Sequence, residues 1–245
     1  EFAATVAALP ADIAGPPVID ARARFRQAFC SIARQDGVVP GDAADCAHLL
    51  WKLADEPAPD APHDATRPDG RSLRWFVVTG ALSDCFGPDA TPFRSGMSRL
   101  SQRGERIDLV EVSGRSGTAH NARQIADALH GADLPPSDRI ALLGYSKGAV
   151  DILQFLADYP ELAARIAAVV SVSGPILGSP LAASSDWAYR HLLADAFAKH
   201  CDPGDGGMVS SLVPDTRKQW LAEHPPPPHV RYFSLGAFTT REHLA

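Results

Sequence analysis

The sequence predicts an α/β protein in which a mostly parallel sheet is flanked by helices, with a helical extension before the sheet and a helical cap inserted into it. Three observations support this prediction. Short apolar runs alternate with helical patterns from residue 73 onward, one of these runs is almost entirely apolar, and proline-rich stretches separate the alternating region from less regular segments. Strands that alternate with helices pair in parallel, because each helix returns the chain to the same edge of the sheet.

Residues 1–56 are predicted to form the helical extension. Apolar residues recur at helical spacing until Gly37 stops the segment: Phe25, Phe29 and Ile32. A second run begins near Asp42, a favourable N-cap, and places four residues on one face: Cys46, Leu49, Leu50 and Leu53. Residues 57–72 then carry prolines among small and acidic residues, which predicts an exposed linker or a long loop.

Residues 73–245 are predicted to form the α/β core. Its strands are the apolar runs Arg74–Thr79, Ile107–Val112, Arg139–Leu143, Ile166–Val172 and Val230–Leu235. Helices are predicted over Ala119–His130, after Gly148, near Trp187–His200 and near Asp215–Glu223. About fifty residues separate the last two strands, which is long for a simple crossover, so we interpret residues 175–228 as a cap over one end of the sheet.

Composition and motifs exclude several classes of function. The 245 residues are 45% hydrophobic and 21% charged, as in ordinary folded proteins, and the net charge of −6 argues against a basic surface for nucleic acid. No apolar run approaches the roughly 20 residues that cross a bilayer. The sequence also lacks a phosphate-binding glycine-lysine loop, a dinucleotide-binding glycine pattern and a His-Glu-x-x-His zinc helix. We therefore expect neither a cofactor nor a metal ion.

The four cysteines form no Cys-x-x-Cys pair, so a zinc site or a thioredoxin-type motif is not indicated. Two disulfides and four buried thiols both remain open for Cys30, Cys46, Cys85 and Cys201. Cys30 and Cys46 can meet if the two N-terminal helices form a hairpin. An even cysteine count and a start without Met favour a processed, periplasmic or secreted protein.

The pentapeptide from Gly144 to Gly148 matches the pattern Gly-x-Ser-x-Gly, with Ser146 at its centre. A predicted strand precedes it and a predicted helix follows it without a gap. Such a serine projects from a sharp turn, where the glycines remove side chains that would collide with the strand and the helix. The helix N-terminus also favours negative charge beside the serine. The alternative is that Ser146 is a passive cap at a tight turn.

With this motif the sequence resembles the α/β-hydrolase superfamily, and within it the bacterial lipases and esterases, over about residues 73–235. Residues 77–81 stand where lipases have an apolar strand that ends in His-Gly. Residues 173–175 and 178–182 are similar to the lipase segment that leads from the next strand into the cap. Thr79 stands where the family has its histidine, which is a departure from the pattern.

The resemblance implies a role for each matching residue. Ser146 is the nucleophile, and the backbone N–H groups of Ala81 and Lys147 form the oxyanion hole. The implied substrate is a small-molecule acyl ester. For the side chain of Lys147, we expect an outward position in solvent; the alternative is a cation that acts on the site.

The acid and the histidine of the triad are harder to place. In this superfamily they follow the nucleophile in the order acid, then histidine, with the acid after the next-to-last strand. If Val230–Leu235 is that strand, the residues from Gly236 to Ala245 are too few for both. We then expect the acid and the base beyond Ala245 or on another chain. The alternative makes Val230–Leu235 the last strand, with Asp205 as the acid and His243 as the base.

These observations together predict a serine hydrolase that cleaves carboxylic esters through an acyl-enzyme on Ser146. Apolar cap residues would supply the acyl pocket: Leu177, Leu181, Trp187 and Phe197. Two alternatives stay open, namely an acyltransferase that uses the same nucleophile and a non-catalytic binding protein with the same fold.

Overall fold

The computed structural model describes residues 18–35, 37, 46, 50, 52, 55–58, 73–86, 91–183 and 202–237. The chain divides into two compact units, residues 1–71 and 72–245, and each is described by itself. Most of the predicted linker, the predicted cap helix near Trp187–His200, and His243 lie outside the described residues.

The first unit contains helix α1, Arg22–Gln35. The helix ends before Gly37, whose φ of +66° is a left-handed conformation that favours glycine at this position. A disulfide joins Cys30 to Cys46, with the two Cα atoms 5.7 Å apart. Cys85, in the second unit, is also disulfide-bonded. The choice left open by the sequence is thus resolved in favour of disulfides for these three cysteines.

The second unit is built on a five-stranded sheet in which every neighbouring pair is parallel. The spatial order is β2-β1-β3-β4-β5. The strands are β1 Leu73–Val78, β2 Arg106–Val110, β3 Arg139–Tyr145, β4 Ile166–Val172 and β5 Arg231–Leu235. The predicted α/β fold with a parallel sheet is confirmed.

Six helices of the second unit are described. They are α2 Arg94–Gln102, α3 Thr118–Gly131, α4 Lys147–Asp158, α5 Pro160–Ala163, α6 Pro180–Ala183 and α7 Pro214–Glu223. Short 3₁₀ turns occupy Ser83–Cys85 and Ser210–Leu212. Within the described residues, no helix combines the length and the apolar character that a membrane span requires.

One hydrophobic core joins the sheet to α3 and α4. Side chains that alternate along β1 and β3 face this core, because successive residues of a strand point to opposite faces of the sheet. They are Phe76 and Val78 in β1 and Ile140 and Leu142 in β3. The core residues of the two helices are Ala122, Ile125, Ala126, Leu129, Ile152, Leu153, Phe155 and Leu156. Helix α4 therefore begins at the end of β3 and runs back against the sheet.

The parallel strands bring three loops to one edge of the sheet, since their carboxyl ends lie side by side. Residues with a strained backbone conformation are concentrated at this edge. Four non-glycine residues in the described part of the chain have a positive φ: Leu82, Phe93, Ser146 and Ser173. Three of them closely follow β1, β3 and β4. Strained residues that the surrounding structure holds in place are concentrated at functional sites, so this edge is the first place to look for one.

Candidate active site

Ser146 occupies the junction of β3 and α4 with φ 51° and ψ −124°, outside both helical and strand conformations. Its backbone N–H donates a 2.9 Å hydrogen bond to the carbonyl oxygen of Val172 at the end of β4. The side chain is half-buried, and its Oγ makes no hydrogen bond to any residue that the structure describes. The side chain of Ser146 is therefore partly accessible while its backbone is held in place.

The two glycines of the pentapeptide are required by close contacts. A Cβ atom at Gly144 would overlap the backbone of Ala149, and one at Gly148 would overlap the carbonyl oxygen of Thr79. The first turn of α4 thus lies directly against the end of β1. Any larger residue at position 144 or 148 would force this turn away from the sheet.

The loop after β1 passes directly beside Ser146. A Cβ atom at Gly80 would lie 2.9 Å from the carbonyl oxygen of Tyr145 and 3.0 Å from the Cβ of Ser146. Thr79, which stands where the lipases that the sequence resembles have a histidine, is buried and accepts a 3.1 Å hydrogen bond at Oγ1 from the N–H of Val112. The hydroxyl of Thr79 therefore ties the end of β1 to the residues that follow β2.

The two backbone N–H groups predicted as oxyanion donors have no partner among the described residues. Neither the N–H of Ala81 nor that of Lys147 donates a hydrogen bond to any described residue. For Lys147 this follows from its place as the first residue of α4, because the first N–H groups of a helix have no intrahelical acceptor. Both N–H groups are therefore unused by the described residues, as the predicted oxyanion hole requires.

The prediction that the side chain of Lys147 reaches solvent is wrong. Lys147 is fully buried, and its Nζ lies 2.6 Å from Oδ1 of Asp151, which is also fully buried. The first turn of α4 has no solvent face, since every residue from 147 to 153 is buried. The carboxylate four residues further along the same helix face compensates the buried ammonium.

Asp151 is the centre of a buried polar cluster. Its Oδ2 accepts a 2.8 Å hydrogen bond from Nδ2 of Asn121 in α3, and the same Nδ2 donates to the carbonyl oxygen of Ser113 at 3.0 Å. Burial raises the pKa of Asp151 to about 6, against the opposing effects of Lys147 and of the Asn121 hydrogen bond. The carboxylate of Asp151 is therefore charged at neutral pH, although its burial removes the water that would stabilise this charge.

A second cation faces this cluster from α7. Arg217 is 2% exposed, its guanidinium stacks over the ring of Trp220 at 4.5 Å, and its Nε donates to the carbonyl oxygen of Ile176. Burial lowers the pKa of Arg217 to about 10, and Asp151 partly offsets this effect. Arg217 thus remains charged at neutral pH, so two buried cations face one carboxylate.

A cavity of about 110 Å³ opens beside Ala81. Its walls are largely apolar and come from the loop after β1 and from the region predicted as the cap: Ala81, Leu82, Ser179, Leu181, Ala182, Met208, Val209 and Leu212. Of the residues predicted for an acyl pocket, Leu181 lines this cavity. Leu177 is not among its lining residues, and Trp187 and Phe197 lie outside the described residues.

Asp205, the alternative acid, forms part of a tight contact between two loops. Its Oδ1 accepts hydrogen bonds from the N–H of Gly117 at 2.7 Å and from the N–H of Gly207 at 2.8 Å. Partial burial acts to raise the pKa of Asp205, but the two N–H groups outweigh it and lower the pKa. His243 lies outside the described residues, so its relation to Asp205 stays a prediction.

Three residues of the site escaped sequence reasoning: Asn121, Asp151 and Arg217. Asp151 carried a usable signal, because it is the one acidic residue of an otherwise apolar stretch and stands four residues after Lys147. Asn121 and Arg217 carried none, since a polar residue in an amphipathic helix is normally exposed. Among the described residues, no three His, Cys, Asp or Glu side chains are placed to share a metal ion.

Comparison with known proteins supports the same fold. No protein-family model and no curated protein sequence matches the chain. Among solved structures, the metagenomic carboxyl esterase MGS0156 is 36% identical, with 96% of this chain and 70% of that chain covered and a TM-score of 0.78.

Two further structures match at lower identity. The mature lipase BlEst2 of Bacillus licheniformis is 20% identical, with 69% of this chain and 67% of that chain covered and a TM-score of 0.52. The phospholipase PlaB of Legionella pneumophila is 16% identical, with coverages of 70% and 40% and a TM-score of 0.51. These two show the shared fold alone. The likeness to the esterase extends over nearly the whole chain at higher identity. The chain therefore belongs to the esterase and lipase group of the α/β-hydrolase superfamily.

Proposed function

We propose that the protein is a serine hydrolase that cleaves carboxylic esters through an acyl-enzyme on Ser146. The strongest support for this proposal is the arrangement of residues around Ser146 at the carboxyl edge of the sheet. A strained, half-buried serine stands at the start of a helix, and the backbone N–H groups of Ala81 and Lys147 have no partner among the described residues. This arrangement suits a tetrahedral intermediate, whose oxyanion needs such donors.

In the proposed reaction, Oγ of Ser146 attacks the acyl carbonyl carbon and loses its proton to a base. The N–H groups of Ala81 and Lys147 donate to the oxyanion, and the N-terminus of α4 adds a favourable dipole. The intermediate expels the alcohol and leaves an ester on Ser146, which water then hydrolyses to the free acid. The base is proposed to be a histidine outside the described residues, because none of the described histidines bonds to Ser146.

The proposed substrate is a small-molecule ester with an apolar acyl group. The cavity beside Ala81 has mainly apolar walls and adjoins one of the proposed oxyanion donors. The most similar of the solved structures reported above is described as a carboxyl esterase, which supports ester rather than amide cleavage. Transfer of the acyl group to an alcohol instead of water uses the same residues, and analysis of the products distinguishes the two reactions.

The test uses a fluorophosphonate probe and a p-nitrophenyl butyrate assay on the full encoded protein. We expect covalent labelling and ester turnover in the wild type, and loss of both in Ser146→Ala. Ser173→Ala is the matched control, because Ser173 is another serine with a positive φ at the same edge of the sheet. Labelling that survives Ser146→Ala, or a folded wild type that neither labels nor turns over esters, would contradict the proposal. The second result would favour a binding protein.

A further inference from the structure

A chain of polar contacts, fully buried at its α4 end, connects the first turn of α4 to the loop after β1, the two elements that carry the proposed oxyanion donors. It begins at Lys147, the residue after the candidate nucleophile. The ammonium of Lys147 contacts Asp151 at 2.6 Å, and both residues are fully buried. Since the two residues are on the first turns of α4, this pair by itself fixes only that helix.

Asn121 connects the pair to a different element. Its amide nitrogen donates to Oδ2 of Asp151 at 2.8 Å and to the carbonyl oxygen of Ser113 at 3.0 Å. Asn121 is 1% exposed, so neither contact competes with water. One side-chain amide thus joins α3, α4 and the loop that follows β2.

The loop after β2 is in turn fixed to the loop after β1. The N–H of Leu82 donates to the carbonyl oxygen of Gly114 at 3.1 Å, and the N–H of Gly114 donates to Oδ1 of Asp84 at 3.2 Å. A Cβ atom at Gly114 would lie 2.5 Å from the nitrogen of Leu82, so the two loops lie in direct contact. Leu82 is the residue next to Ala81, the second proposed donor.

We propose that Asn121 is a positioning residue for the oxyanion hole. Through Asp151 it holds the first turn of α4, and through Ser113 it holds the loop that fixes Leu82. The distance between the N–H groups of Ala81 and Lys147 therefore depends on a side chain that touches neither substrate nor nucleophile. This inference rests on the proposed function for its effect on catalysis, while the mechanical link between the two loops stands independently of it.

If Asn121 has a structural role alone, its replacement lowers the free energy of unfolding but leaves the kcat of the folded enzyme unchanged. A positioning role lowers kcat and leaves KM unchanged, because the two donors act on the transition state more than on the bound ester. Displacement of catalytic groups by about 1 Å can cost a factor of roughly 100 in rate. We expect Asn121→Leu to lower kcat by about 10-fold to 100-fold with KM within about twofold of the wild-type value.

The experiment measures kcat and KM for p-nitrophenyl butyrate, with enzyme concentration taken from fluorophosphonate labelling so that only folded sites are counted. Hydrogen–deuterium exchange of the peptide 80–86 is followed in parallel. Leu129→Ala is the matched control, because Leu129 is also buried in α3 but packs in the apolar core. We expect faster exchange in peptide 80–86 for Asn121→Leu and wild-type exchange there for the control. If Asn121→Leu does not fold, the same measurements are made on Asn121→Ser.

The outcomes separate the two proposals. Loss of kcat with faster exchange in peptide 80–86 supports the positioning role. A kcat of Asn121→Leu within twofold of the wild-type value, or unchanged exchange in that peptide, overturns the positioning role. The proposed function then still stands, provided that ester turnover depends on Ser146. If the wild type shows no Ser146-dependent turnover, the proposed function fails, and exchange alone decides whether Asn121 links the loops.

Discussion

A methyl group on the Cα of Gly80 would lie 3.0 Å from the Cβ of Ser146 and 2.9 Å from the carbonyl oxygen of Tyr145. The backbone of the loop after β1 thus approaches the serine as closely as a residue without a side chain allows. No side chain at position 80 therefore occupies the space beside Ser146, where the proposed oxyanion hole and the substrate would lie.

Gly80→Ala should therefore reduce catalysis far more than stability. The added methyl group pushes the loop away from Ser146 and moves the N–H of Ala81, and loss of one oxyanion donor typically costs about 100-fold to 1,000-fold in kcat. Overpacking of this kind costs about 1–3 kcal/mol in the free energy of unfolding. The control is Gly96→Ala in α2, where nothing lies within 4 Å of the new carbon. Similar kcat values for both variants would contradict this account of Gly80.

The buried pair of Lys147 and Asp151 should behave as a coupled unit in a double-mutant cycle. Lys147→Met leaves the buried carboxylate without its directly bonded cation, and Asp151→Asn leaves the buried ammonium without its anion. Removal of one partner of a buried pair typically costs about 3–5 kcal/mol, whereas replacement of both is far less harmful. We expect each single variant to unfold at lower urea concentration than the double variant. Additive losses would show that the two side chains do not compensate each other.

The raised pKa of Asp151 gives stability a specific dependence on pH. The folded protein holds this proton up to a pH of about 6, whereas the unfolded chain releases it near 3.8. The contribution of Asp151 is therefore fully present below pH 3.8 and is lost as the pH rises through 6, by an amount on the order of 3 kcal/mol. Urea unfolding at several pH values should show this fall in wild type relative to Asp151→Asn. Parallel curves for the two proteins between pH 4 and pH 6 would refute it.

Ala182→Phe should change acyl-chain selectivity. Ala182 is buried in the wall of the cavity beside Ala81, and a phenyl ring there fills most of its 110 Å³. We expect kcat/KM for p-nitrophenyl octanoate to fall at least about 10-fold relative to the acetate ester, since each methylene that loses its pocket costs about 1–3 kcal/mol. Ala183→Phe is the control, because Ala183 is exposed and does not line the cavity. An equal loss for both esters would count against an acyl pocket here.

The strands were predictable because the strands of a buried parallel sheet have nearly continuous apolar sequences. Ile166–Val172 lies between two other strands and none of its residues is exposed, so it is apolar at nearly every position, and its observed bounds equal the predicted ones. The position of Ser146 between β3 and α4 followed from the same pattern, since a strand and a helix meet there without a gap.

Other elements have no such pattern in their sequence. Helix α2 was not predicted, because it is short, only Met97 and Leu100 in it are apolar, and none of its residues is buried. The burial of Lys147 depends on how α4 packs against β1 and α3, which no local pattern encodes. Asn121 is similar: its two acceptors come from residues 8 and 30 positions away along the chain.

The hydrogen bond from the N–H of Ser146 to the carbonyl oxygen of Val172 joins the strained turn to a strand that is synthesised later. The pentapeptide around Ser146 is thus not a self-sufficient module, and moving those five residues to another strand–helix junction should not transfer the geometry. During folding, this hydrogen bond can form only after β4 has docked beside β3. Ester turnover during refolding should therefore report the arrival of β4 rather than the formation of the turn alone.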